Sequence, residues 1–199
     1  MPKLRPLRHG QIYHVYNRGV NRENLFKEER NYAHFMNLAQ RHILPVADIY
    51  AFCLLRNHFH LLIRVRMRHE IRRSAARILW RVPPGQAFGN FFNAYAKAIN
   101  SAYSRTGCLF EKPFKRKIVN TADYFRQLVV YIHRNPQKHG LVSDFSQWPY
   151  SSFGRFAEES DPVLELSTVV SSFGNLGGFR GAHYDDSMLP ADRSFGDFA

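Results

Sequence analysis

Asn57-His58-Phe59-His60-Leu61-Leu62-Ile63-Arg64-Val65-Arg66 has the alternation of a β-strand from His58 onward. Strand side chains point to opposite faces in turn, so His58 and His60 stand with Arg64 and Arg66, while Phe59, Leu61, Ile63 and Val65 turn the other way. The apolar run Ile49 to Leu55 precedes it, and the intervening Arg56-Asn57 has the length and composition of a hairpin turn. Two neutral imidazoles at fixed spacing preorganise a site for a divalent metal ion, and a basic surface around them suits a phosphate substrate. A lone His-x-His is more often a pair on the wet face of an ordinary sheet strand. A metal centre needs a third ligand and a reacting group beside it, and both must come from elsewhere in the chain.

Working outward, Gln11 to Tyr16 is rich in β-branched and aromatic residues and reads as a strand ending in a turn at Asn17-Arg18-Gly19. Glu29 to Ile43 spaces its apolar residues at the helical period until Pro45 stops it. Beyond the hairpin, Arg64 to Arg81 holds seven arginines against the single acid Glu70, reads as part helix and part loop, and ends at Val82-Pro83-Pro84-Gly85. Phe88 to Tyr103 is an amphipathic helix whose aromatic stripe is read as core. Cys108-Leu109-Phe110 and Lys115 to Val119 form a basic, aromatic strand around Pro113, and Thr121 caps a helix from Ala122 to about Asn135. The order βαββαβα predicts an α+β, ferredoxin-like antiparallel sheet with helices on one face. The last helix is additional to that unit and is free to lie against the histidines.

Charge divides the chain. Its 199 residues carry a formal +12, which points to a polyanion such as nucleic acid. Residues 1–144 hold 25 Lys and Arg against 8 Asp and Glu, and residues 145–199 hold 3 against 8. The expected organisation is a catalytic domain over 1–144 and an acidic, partly disordered extension over 145–199. From Glu158 onward the extension reads as a solvated segment, or as a shield for the basic surface. Cys53 and Cys108 form no Cys-x-x-Cys pair and are expected to be reduced core thiols, which excludes a disulfide framework or zinc ribbon. No apolar run reaches membrane-spanning length, so no membrane partner is expected and the cytoplasm is the expected compartment.

Gln127, Tyr131 and Asn135 are four residues apart and share a helical face. Asn135 offers a carbonyl oxygen that suits Mg²⁺ or Mn²⁺, and Pro136 makes it the expected last or kinked residue of the helix. Tyr131 offers an oxygen nucleophile. From the helix alone, Tyr131 reads first as a core tyrosine with its hydroxyl at the surface, and Gln127 reads as cover for the site.

Asn57-His58-Phe59-His60-Leu61-Leu62-Ile63 resembles the HUH motif (histidine, hydrophobic, histidine). Tyr131-Ile132-His133-Arg134-Asn135-Pro136-Gln137-Lys138-His139-Gly140 resembles the tyrosine motif of single-tyrosine transposases. Tyr16-Asn17-Arg18-Gly19, Asn93-Ala94-Tyr95-Ala96-Lys97-Ala98-Ile99-Asn100, Arg105-Thr106-Gly107 and Phe110-Glu111-Lys112-Pro113-Phe114-Lys115 match as well. Trp148-Pro149-Tyr150-Ser151-Ser152-Phe153 resembles the extension of the REP-associated tyrosine transposases, a branch tied to repetitive extragenic palindromes. The resemblance implies a ferredoxin-like fold and site-specific cleavage and rejoining of single-stranded DNA near hairpins; a monomer or homodimer is expected. It departs from the family where Asn135 stands at a position often held by glutamine.

The expected roles follow. His58, His60 and Asn135 hold Mg²⁺ or Mn²⁺, and Tyr131 is the nucleophile that forms a 5′-phosphotyrosine. Arg18, Arg64, Arg66, Lys112, Lys115, Arg116 and Lys117 bind DNA, with Phe114 or Tyr16 stacking on an unpaired base. Two other readings remain at this stage: a regulator that binds single-stranded DNA or RNA without cleaving it, and a metal-dependent phosphodiesterase that uses water as nucleophile.

Overall fold

The computed structural model describes residues 6–71, 82–158 and 160–189. Along them run β1 (Ile12–Arg18), α1 (Glu29–His42), β2 (Ala47–Leu54), β3 (His58–Val65), α2 (Pro84–Ala102), β4 (Lys115–Val119) and α3 (Ala122–Lys138). The four strands pair antiparallel in the order β2-β3-β1-β4, which is the predicted ferredoxin-like sheet. Arg72, Arg73, Arg77 and Arg81 of the arginine run lie outside the described residues.

The alternation read from β3 sets what each face packs against. On the Phe59 face, Phe35 of α1 lies with its ring 5.1 Å from Phe59 and 4.7 Å from Phe91 of α2. Phe35, Phe59, Phe88, Phe91 and Tyr95 are all buried, so the aromatic stripe of α2 is core as expected, and the Tyr95 hydroxyl is satisfied by donating to Leu25 O at 2.9 Å. The other face carries the histidines, and α3 lies across it, with Phe125 5.3 Å from Tyr50 of β2.

Several boundaries differ from the sequence reading for identifiable reasons. β1 runs on through Asn17 and Arg18, and Gly19 is bridged to Phe110; a Cβ at Gly19 would run into the Glu23 carbonyl. Pro83-Pro84 begins α2 instead of only ending the arginine run: proline at the first helical position loses no hydrogen bond, and its φ is already helical. Pro136 does not stop α3. It lies in the last turn, where a missing N–H costs one bond, and the helix closes with His139 N–H on Asn135 O at 2.9 Å and Gly140 at φ 66°. Thr121 caps the helix as expected, accepting from Tyr124 N–H. Cys53 is buried, but Cys108 is exposed and is not a core thiol.

The extension departs furthest from expectation. Its described residues are folded: α4 (Leu166–Ser172) and α5 (Leu176–Tyr184) bury Val169, Phe179 and His183. The segment runs along the outer edge of β2. Leu54 N–H donates to Tyr150 O at 2.9 Å, Ser152 N–H to Phe52 O at 2.9 Å and Glu165 N–H to Ile49 O at 2.9 Å. A sheet edge that would otherwise be open is thereby paired. A chain of buried bonds then ties the extension to α3. His183 Nδ1–H donates to Phe179 O, His133 Nδ1–H to His183 Nε2 and Ser152 Oγ–H to His133 Nε2, each at 2.7 Å. Burial holds both imidazoles neutral, pushing His183 down to about 4 and His133 well below the usual histidine range.

These lowered values fix the sign of a pH dependence. The unfolded chain takes up protons below about pH 6.5 that the folded chain refuses, so the stabilisation present above that pH is lost as the pH falls towards 4. The expected slope is at most about 1.4 kcal/mol per pH unit for each such histidine. Urea unfolding at pH 7.5 and pH 5 checks it: the midpoint should fall at the lower pH, and fall less in His183→Phe.

Candidate active site on the histidine face

Register brings the polar side chains of three strands onto one face. Tyr16 pairs with His60 and Arg18 with His58, while Lys115 pairs with Tyr16 and Lys117 with His14. Residues directly opposite in an antiparallel pair share a face. α3 crosses that face with Tyr131 against His60, their rings 5.7 Å apart and perpendicular, and His139 against His58, 4.8 Å apart. Asn135 lies midway between Tyr131 and His139 on that side of the helix and is completely buried. The four-residue spacing read from the sequence puts Asn135 on the same side of α3 as Tyr131, whose ring meets His60.

Hydrogen bonds settle which ring nitrogens point inward. His58 Nδ1–H donates to Asn57 Oδ1 at 2.7 Å, and the Asn57 amide is oriented by its own donation to Arg22 O. His58 thus keeps its lone pair on Nε2. His60 Nδ1 is 2.9 Å from His14 Nε2. Both rings are buried, and burial pushes His14 down to about 3 and His60 well below the usual histidine range, so both are neutral near pH 7. Asn135 Nδ2–H donates to Tyr131 O at 2.8 Å, which leaves the amide oxygen.

Buried polar atoms in folded proteins almost always have a partner. Yet His60 Nε2 and Asn135 Oδ1 are buried with no hydrogen-bond partner. Imidazole nitrogens and amide oxygens are among the groups that ligate divalent cations, so these residues and His58 fit one chemically. Among the described residues no group of three His, Cys, Asp or Glu side chains is placed to hold a metal.

The cationic residues expected to meet DNA separate into groups. Arg64 and Arg66 are both held by the buried Asp48, at 2.6 Å each, and Arg64 also by Glu70 at 3.0 Å. Arg18 is bonded to Glu111, which also lies 3.8 Å from Lys115 Nζ. Lys115 and Lys117 stand on the histidine face, whereas Arg116 turns to the other face, its guanidinium 4.8 Å over the Phe114 ring. Lys112 and Phe114 line a cavity of about 410 Å³ together with Asn17, Phe92, Asn93 and Phe110. Near the phenol, Lys138 Nζ lies 5.2 Å over the Tyr131 ring, and a 270 Å³ depression there is lined by Tyr131, Arg134, Gln137, Lys138 and Leu189.

His14, His139 and Lys138 belong to the site without having been singled out from the sequence. Strand alternation places His14 with Tyr16. His139 is the next step of the series 127, 131, 135, and is hidden when Pro136 is read as a stop.

No family model matches the chain. A REP-associated tyrosine transposase of Escherichia coli (strain K12) is 31% identical over 96 residues, which are 48% of this chain and 58% of that protein, so the chain spans less than two thirds of its length. The solved structure of a REP-associated tyrosine transposase bound to a REP hairpin matches with a TM-score of 0.58 at 18% identity, over 82% of this chain and 90% of that one. The first bears out the resemblance carried by the motifs; the second bears out the fold.

The unpartnered Asn135 oxygen carries a stability cost of its own, ordinarily about 1–3 kcal/mol for a buried unsatisfied group. Asn135→Leu is therefore expected to raise the urea midpoint of the chain in a chelating buffer. An equal or lower midpoint would mean that the Asn135 amide is not strained by its surroundings.

Proposed function

We propose that this relative of the REP-associated tyrosine transposases cleaves and rejoins single-stranded DNA beside a hairpin of the repetitive extragenic palindrome type, with Tyr131 as nucleophile. One observation carries the reading: a tyrosine on α3 stands against His60 of the HUH strand, where His60 Nε2 and Asn135 Oδ1 are buried without partners. His58, His60 and Asn135 are the residues to hold Mg²⁺ or Mn²⁺. When bound, the ion supplies Lewis-acid polarisation of a non-bridging oxygen on the scissile phosphate.

The chain's own residues do the rest. Tyr131 Oη attacks phosphorus as its proton passes to solvent; the bond from phosphorus to the 3′ oxygen breaks, and that oxygen takes up a proton. The products are a 5′-phosphotyrosine and a 3′-hydroxyl. A second 3′-hydroxyl attacks the adduct, restores the phenol and reseals the strand, so the number of phosphodiester bonds is conserved. Phenols ordinarily ionise near pH 10, and the Lys138 ammonium over the Tyr131 ring favours the developing phenolate. Tyr131 meets the histidines of its own chain, which supports action in cis.

Lys115 and Lys117 on the histidine face lead phosphates towards Tyr131. The aromatic cavity at Lys112 and Phe114 suits an unpaired base, since stacking is tolerant of sequence and needs a base free of its duplex. Arg64 and Arg66, each bound to Asp48, serve the frame more than the substrate.

Labelled hairpin-flanked single strands incubated with Mn²⁺ test the mechanism on a denaturing gel. The chain should give a protease-sensitive covalent adduct and a cleaved strand, and Tyr131→Phe should give neither. Cleavage that survives in Tyr131→Phe identifies water as nucleophile, and binding without cleavage by the unsubstituted chain identifies a regulator. For affinity, the double variant Lys115→Ala, Lys117→Ala should bind the same strand more weakly. The slope of log K against log salt should become shallower by about 1.4, at about 0.7 per single-strand phosphate contact.

A further inference from the structure

We infer that His14 is a positioning residue for His60: it accepts the His60 Nδ1 proton, which turns the His60 Nε2 lone pair into the buried site. This rests on the cation reading above and deepens it. His14 lies on β1 beside the Tyr16–His60 pair, is completely buried, and stacks on Tyr16 with ring centroids 4.6 Å apart. Its Nε2 is 2.9 Å from His60 Nδ1, and the two rings are 5.1 Å apart at 20°.

One proton occupies the bond between two neutral imidazoles, so two arrangements exist. If His14 donates, His60 Nε2 carries a hydrogen and cannot ligate. If His60 donates, His60 Nε2 presents a lone pair and the His14 proton moves to Nδ1. His14 Nδ1 is itself buried without a hydrogen-bond partner, so nothing on the far side of His14 chooses between the two. A cation at His60 Nε2 makes the choice, and His14 is the acceptor that the chosen tautomer requires. A ligating histidine whose other nitrogen is bonded in this way is fixed in rotation and made more basic.

The full chain, without DNA, is titrated with Mn²⁺ by calorimetry beside His14→Gln, His14→Asn and His14→Phe. Gln can place an acceptor oxygen where His14 Nε2 stands; Asn is too short, and Phe keeps the ring without the acceptor. Dissociation constants should rise about 10–100-fold for Asn and Phe and return towards the unsubstituted value for Gln. Circular dichroism identifies any variant that fails to fold, and the Gln and Asn pair, close in size and polarity, decides the matter without Phe. Nitrogen-15 spectra of the Mg²⁺-loaded chain give a second readout, in which His60 should carry its proton on Nδ1. Equal affinity in Asn, Gln and the unsubstituted chain overturns the inference while leaving the cation site standing, and a proton on His60 Nε2 in the loaded chain overturns both the inference and His60 as a ligand. No Mn²⁺ binding by the unsubstituted chain overturns both.

Discussion

Two imidazole pairs, one on each side of α3, are the constraint on which the arrangement depends. His14 and His60 meet at 2.9 Å in the sheet, and His133 and His183 meet at 2.7 Å between α3 and the extension. Every one of these rings is buried, and burial disfavours the charged form of each. Uncharged imidazole has one donor and one acceptor, so each pair satisfies itself only at close range and in a restricted orientation. A hydrophobic contact would tolerate sliding; these pairs do not. A one-turn slip of α3 would carry Tyr131 about 5.4 Å along the helix axis, away from His60.

The extension is therefore part of how the tyrosine is placed. His133 follows Tyr131 by two residues and points to the opposite side of the helix, so the bonds from Ser152 and His183 press α3 onto the sheet from behind. The same segment pairs with the edge of β2, the strand that carries Asp48 and Cys53. Asp186 reaches Arg134 of α3 at 2.7 Å, so some of the extension's negative charge lies along the tyrosine helix. Its acidity has a structural use that net charge alone does not reveal.

Most of the fold is legible from periodicity. The hairpin at Arg56-Asn57, the aromatic face of α2 and the Thr121 cap are local signals, and local signals survive the absence of coordinates. The site is legible as far as one element reaches: His58 with His60 by strand alternation, and Tyr131 with Asn135 by helical spacing. What escapes depends on contacts between elements. His14 is an ordinary strand residue until the register of β1 on β3 brings it to His60. His139 disappears behind Pro136, because proline is read as a breaker while the helix in fact runs on through it to Lys138. The extension reads as solvated because of its Gly, Ser and acidic content, and only packing against α3 and β2 shows that residues such as Val163, Leu164, Val169, Phe179 and His183 are buried.

Charge gives a sharper case of the same limit. A surplus of 25 basic over 8 acidic residues in 1–144 describes attraction at a distance, where individual positions hardly matter. At contact range the few acids are placed on arginines: Asp48 and Glu70 on Arg64 and Arg66, Glu111 on Arg18, and Glu23 on Arg105. A planar guanidinium held by a carboxylate is a rigid strut, well suited to fixing strand ends. Lysines carry a point charge on a mobile stem, and of these Lys115 also reaches Glu111, at 3.8 Å, while Lys138 lies over the Tyr131 ring. The ion pairs thus make Arg64 and Arg66 part of the frame that holds β2 to β3.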